Sequence, residues 1–98
     1  MALKDDAALL ILTSLAGSPK HGYAMIEDIR SITGTRIGPG TLYGAIARLE
    51  AEGMIEALES ADRRRPYQIT PSGRRHLATE IEGMKGLVAV GRRRLRRA

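Results

Sequence analysis

The stretch GPGTLYGAIARLEAEGMIEALESADRRRPYQIT, residues 38–70, decides the fold. At about 100° per residue, Leu42, Ala45, Ile46 and Leu49 gather on one side of a helix. That helix runs from Pro39 or Gly40 to Glu52 and closes at Gly53. Tyr43, Gly44, Ala47, Arg48 and Ala51 take the opposite side. Met54 to Ser60 fits a short strand, and Ala61-Asp62-Arg63-Arg64-Arg65 a polar loop. Pro66 to Ile69 reads as a second strand, with the proline at its start, where a missing N–H does no harm. The segment is therefore a helix followed by a hairpin whose connection carries three arginines.

Working outward, Gly22 to Thr33 reads as a helix with Met25, Ile26, Ile29 and Ile32 on one face, ended by Gly34. Gly17-Ser18-Pro19-Lys20 breaks the chain before it. Asp5 to Ala16 is a first helix, with Asp5 and Asp6 supplying the negative charge that helix N-termini favour. Leu9, Leu10, Ile11, Leu12 and Leu15 make it apolar nearly all round, so it must be covered on two sides. Downstream, Thr70-Pro71 is a helix start, threonine as N-cap and proline in the first turn. The helix is expected to reach Leu95. Leu77, Ile81, Met84, Val88, Gly91 and Leu95 form a heptad-like seam, widened by Leu87 and Val90. Gly83, Gly86 and Gly91 each cost roughly 1 kcal/mol relative to alanine in a helix interior, so this helix needs packing to persist.

The order is helix, helix, helix, strand, basic loop, strand, long helix. This predicts a mainly α chain with a small β-hairpin: a winged helix-turn-helix over residues 1–70, a C-terminal dimerisation helix over 71–95 and a basic tail over 96–98. A third helix with small residues outward can approach the floor of a major groove. The loop arginines can reach phosphates or a narrow minor groove.

The composition agrees. A chain of 98 residues holds one modest core, and with three tyrosines and no Phe or Trp that core is aliphatic. The absence of cysteine excludes a thiol nucleophile and every Cys-based zinc site. No stretch of 18 apolar residues suggests a membrane span, and the N-terminus lacks the order of a signal peptide. The expectation is a cytoplasmic protein. The net charge is +5, but five arginines lie among the last seven residues, leaving residues 1–90 neutral. Within that body Glu50, Glu52, Glu56, Glu59 and Asp62 precede Arg63-Arg64-Arg65. Two arginine clusters on a small body suggest a polyanion partner; the alternative is a solvated face and a frayed tail.

Specific residues add a resemblance. His21-Gly22-Tyr23, Gly40-Thr41-Leu42-Tyr43, Arg48-Leu49-Glu50 and Glu52-Gly53-Met54-Ile55 are similar to motifs of the PadR family of bacterial transcriptional regulators. Arg65-Pro66-Tyr67-Gln68-Ile69-Thr70, with Gly73, resembles that family's second wing strand and the opening of its last helix. The resemblance spans about residues 7–76. Gly44 stands where the family often has proline, and Gln68 where a second tyrosine is common. It implies a homodimeric, repressor-type regulator whose last helix pairs with its mate and with the partner's first helix. It also implies release from DNA by a small-molecule effector near the dimer interface. Without Phe or Trp, such a pocket is expected to be aliphatic, lined by residues such as Met84 and Leu87.

The candidate DNA-binding residues are Gly40, Thr41, Tyr43, Gly44, Ala47 and Arg48 on the third helix and Arg63, Arg64 and Arg65 in the wing. The candidate dimerisation residues are Leu9, Leu12, Leu77, Ile81, Met84, Leu87 and Val88. Tyr43 has packing against the neighbouring helix as its alternative, and Arg48 an i,i+4 pair with Glu52. Arg65 has orientation of Tyr67 as another role. His21 and His76 share no ligand spacing, so no metal is expected, nor any cofactor. No catalytic constellation is visible, and no enzyme activity is expected. The rival function is a winged-helix protein-interaction adaptor without DNA binding.

Overall fold

The computed structural model describes residues 6–60 and 63–97. Asp5, Ala61, Asp62 and Ala98, which figured in the expectations above, lie outside them. The elements run α1 (Ala7–Gly17), α2 (Gly22–Thr33), α3 (Pro39–Ala51), β1 (Ile55–Ala57), β2 (Tyr67–Ile69) and α4 (Pro71–Arg96). This is the predicted architecture of a mainly helical chain with one small antiparallel hairpin.

Local chemistry sets the boundaries. The Asp6 carboxylate accepts the Leu9 N–H at 3.1 Å and caps α1, so the helix starts at Ala7, later than expected. Gly34 and Gly53 follow α2 and α3 with φ of 74° and 75°, a region that side chains with Cβ rarely enter. The Thr70 hydroxyl accepts the Gly73 N–H at 3.1 Å and donates to the Gly53 carbonyl at 2.7 Å. One residue thus caps α4 and ties it to the exit of α3. Gly73 permits the approach, because a Cβ there would fall against the Met54 carbonyl oxygen. Ile55 pairs with Ile69, Glu56 with Gln68 and Ala57 with Tyr67. The first strand is shorter than the expected 54–60.

α1 lies at the centre, in contact with α2, α3, α4 and β2. Its all-round apolar surface is therefore covered by its own chain. Leu12 is 1% exposed, and Leu9 and Leu77 are buried in the same cluster as Met25, Ile29, Leu42 and Ile55. The expectation that Leu9, Leu12 and Leu77 face a partner is corrected: the hydrophobic driving force they offered is already used inside one protomer. Ile32 shares a face of α2 with Met25, Ile26 and Ile29 but is not buried with them. It is 51% exposed, because α2 runs past the edge of the core before Gly34 stops it.

α4 leaves the core early. Gly73 and Leu77 are buried, Met84 is half-buried, and Ile81, Leu87, Val88 and Leu95 are exposed, Leu87 at 69%. The helix ends at Arg96, one residue beyond the expected Leu95, and carries Arg92, Arg93 and Arg94 in its last turns. Twenty-six residues make a rod of about 39 Å. The molecule measures 57 × 26 × 20 Å, with a radius of gyration of 15.0 Å. A compact chain of this size would have about 13 Å.

Candidate nucleic-acid interface

α3 separates its residues as the spacing predicts. Leu42, Ala45, Ile46 and Leu49 are buried, and Gly40, Thr41, Tyr43, Gly44, Ala47 and Arg48 are exposed. Gly44 and Ala47 leave a shallow strip, and a Cβ added to Gly44 meets nothing within 4 Å. Gly38 caps α3 with its backbone alone, leaving N–H groups of the first turn without a side-chain cap. No ion pair joins Arg48 to Glu52 among the described residues.

The wing stands beside this face. Arg63, Arg64 and Arg65 are all exposed. With His21, Gly22, Tyr23, Tyr43 and Tyr67 they line an open cleft of about 610 Å³. The structure thus brings α3 and the wing together through Tyr43, and gathers all three aromatic residues of the chain. The rest of the α3 strip, Gly40, Thr41, Gly44, Ala47 and Arg48, lies outside the cleft.

Tyr43 is 51% exposed, yet its ring also packs over Gly22, where a Cβ would collide with its hydroxyl. Tyr43 therefore packs against α2, as the alternative reading had it, while about half of the residue stays exposed. His21 caps α2, its Nδ1 accepting the Ala24 N–H at 3.4 Å. Sequence reasoning left His21, Gly22, Tyr23 and Tyr67 out of the site. The available signal was that Tyr23 and Tyr43 each adjoin a glycine and Tyr67 stands two residues from Arg65. Guanidinium groups and aromatic faces together suit an anion carrying planar or apolar groups.

Comparison with known proteins fits this geometry. The model of the transcriptional regulator PadR-like family matches residues 11–79. The chain belongs to the PadR-like family of transcriptional regulators. A mycobacterial relative, transcriptional regulator Rv3488 of Mycobacterium tuberculosis, is 34% identical over 82 residues, covering 81% of this chain and 76% of that protein. An uncharacterized 37.1 kDa protein in transposon TN4556 of Streptomyces fradiae is 47% identical over 83 residues. This PadR-like chain spans only 24% of the Streptomyces protein's length, while 85% of the chain is matched. A solved transcriptional regulator from Clostridium thermocellum superposes with a TM-score of 0.79 at 31% identity, over 90% of this chain and 88% of that one. The family is one of transcriptional regulators. Among the described residues no group of three or more His, Cys, Asp or Glu could hold a metal ion, and no helix is long and apolar enough to cross a membrane.

Proposed function

We propose that this PadR-like regulator is a homodimer that binds a near-palindromic DNA operator and represses transcription by occupying it. The observation that carries this reading is the shared side of α3 and the wing. An exposed helix face of small residues carries Tyr43 and Arg48, and at Tyr43 it meets the cleft lined by three exposed arginines. Small residues let a helix sink into a major groove, and Thr41, Tyr43 and Arg48 can then reach base edges. Arg63, Arg64 and Arg65 take the backbone phosphates. Such a role puts the protein in the cytoplasm with the DNA.

The dimer reading rests on α4. Ile81, Leu87, Val88 and Leu95 are apolar and exposed on a rod that extends past its own core, and Met84 adjoins them. A second α4 would cover this surface. Two protomers so paired carry two α3 helices, matching half-sites one helical turn or a multiple apart. A small-molecule effector would use the same aliphatic region, with Met84 and Leu87 in its wall, and release the DNA.

Selection of bound duplexes from a random pool tests the reading. Recovery of a two-half-site consensus, bound with an affinity that falls steeply with salt, supports it. Failure to enrich any sequence at low salt overturns it.

A further inference from the structure

Ser14 is the one buried polar residue in the described core, and it heads a cluster that the DNA-binding reading leaves unused. Its hydroxyl donates to the Asp28 carboxylate at 2.6 Å. The Lys20 ammonium donates to the Ser14 carbonyl at 2.5 Å and to the Ser18 carbonyl at 2.9 Å, and stands 3.9 Å from Asp28. The Lys20 side chain is 17% exposed. The Ser14 carbonyl belongs to the last turn of α1, so the ammonium meets the negative end of the helix dipole.

The same residue holds the wing. The Lys20 N–H donates to the Tyr67 carbonyl at 3.2 Å, and the Tyr67 N–H donates to the Lys20 carbonyl at 3.1 Å. Lys20 thus adds a single rung on the free edge of β2, opposite β1. Tyr67 is two residues from Arg65 and lines the same cleft. The hairpin has three paired positions and would be marginal alone. Its other edge is anchored through Lys20, whose own position is set by Ser14, Ser18 and Asp28.

We infer that the Lys20–Asp28–Ser14 cluster is a latch that positions the wing arginines relative to α3, acting through the Lys20–Tyr67 rung. Lys20 is then a positioning residue for DNA contact rather than a contact itself. The inference rests on the DNA-binding reading for its consequence, but the latch itself has a readout that needs no DNA.

The decisive variants are Lys20→Met and Asp28→Ala, each made in the intact protein and with Arg63, Arg64 and Arg65 changed to alanine. The probe is a fixed duplex recovered by the wild type from a random pool. Each variant is expected to weaken binding by roughly tenfold with the wing intact, the scale of coupling within one network. The loss should largely disappear once the wing arginines are gone. Asp28→Ala separates the latch from plain electrostatics, since removing a negative charge near a polyanion would by itself tighten binding. Hydrogen exchange at the Tyr67 amide should quicken in both variants.

Tighter or unchanged binding by Asp28→Ala overturns the inference. So does a Lys20→Met loss that persists in full without the wing arginines, which would mark Lys20 as a phosphate contact. Unchanged Tyr67 exchange overturns it as well. If the wild type recovers no duplex, the DNA-binding reading falls, and Tyr67 exchange alone decides the latch.

Discussion

Three helical glycines, Gly22, Gly44 and Gly73, do different work, and substitution separates them. Gly44 faces open space on the exposed side of α3. Gly44→Ala is expected to stabilise the fold by up to about 1 kcal/mol through helix propensity. Gly44→Glu should leave the fold and the oligomer intact and abolish DNA binding, because a carboxylate would stand where the groove must approach. Thermal melting and a gel shift on the same samples check both. Gly73 is the opposite case. Its missing Cβ is filled by the Met54 carbonyl and Ile69, and backbone cannot yield cheaply. Gly73→Ala should cost about 1–3 kcal/mol, read as a lower denaturation midpoint. Gly22 lies between them, since the atom a Cβ would strike is the end of the Tyr43 side chain. Gly22→Ala should fold, displace Tyr43 and weaken DNA binding. The sequence marks all three glycines as notable. What a Cβ would meet depends on chain segments distant in sequence, so their separate roles required the fold.

At the scale of elements, periodicity shows how much of a helix must be covered but not what covers it. The apolar residues Leu9 to Leu12 and Leu15 demand cover on two sides, and a partner surface was one expected source of it. The cover is α2, α3, α4 and β2 of the same chain. Local signals fared better: Gly34, Gly53 and the Thr70-Pro71 pair act within one turn, and each boundary falls where they stand. Ile32 shows that a helix face can outrun the core it packs on. α4 divides the heptad-like seam in two, Leu77 joining the core and Ile81, Leu87, Val88 and Leu95 staying outside. Leu87→Glu is expected to leave the core unchanged and shift the protein to monomer, visible by sedimentation. The glycines of α4 give a second reading of the same seam. Gly83, Gly86 and Gly91 have nothing within 4 Å of a notional Cβ in one protomer, so alanine there should stabilise an isolated chain by about 1 kcal/mol each. If two α4 helices pack closely at those positions, alanine should instead weaken association. Melting at two protein concentrations distinguishes the effects.

Across the whole molecule, charge is distributed by position rather than amount. The body of residues 1–90 is neutral, and arginines cluster at the wing, at the start of α4 and along its distal turns. Exposed Glu50, Glu52, Glu56 and Glu59 lie between the α3 face and the wing loop in sequence, so a uniform basic surface does not explain attraction to DNA. The sequence showed this segregation; it could not show that Tyr67 and Tyr43 would join the wing arginines in one cleft. Salt dependence can count what the sum of charges cannot. Each phosphate neutralised contributes about 0.9 to the slope of log affinity against log salt. Arg65→Ala removes one such contact per protomer if Arg65 meets phosphate. The slope should then fall by about 0.9 for a single copy on the duplex and by about 1.8 for two. A fall near 1.8, with the sequence preference unchanged, would establish in one titration that the wing touches phosphate and that two protomers share the site. No change in slope would remove Arg65 from the interface and return it to the alternative role of orienting Tyr67.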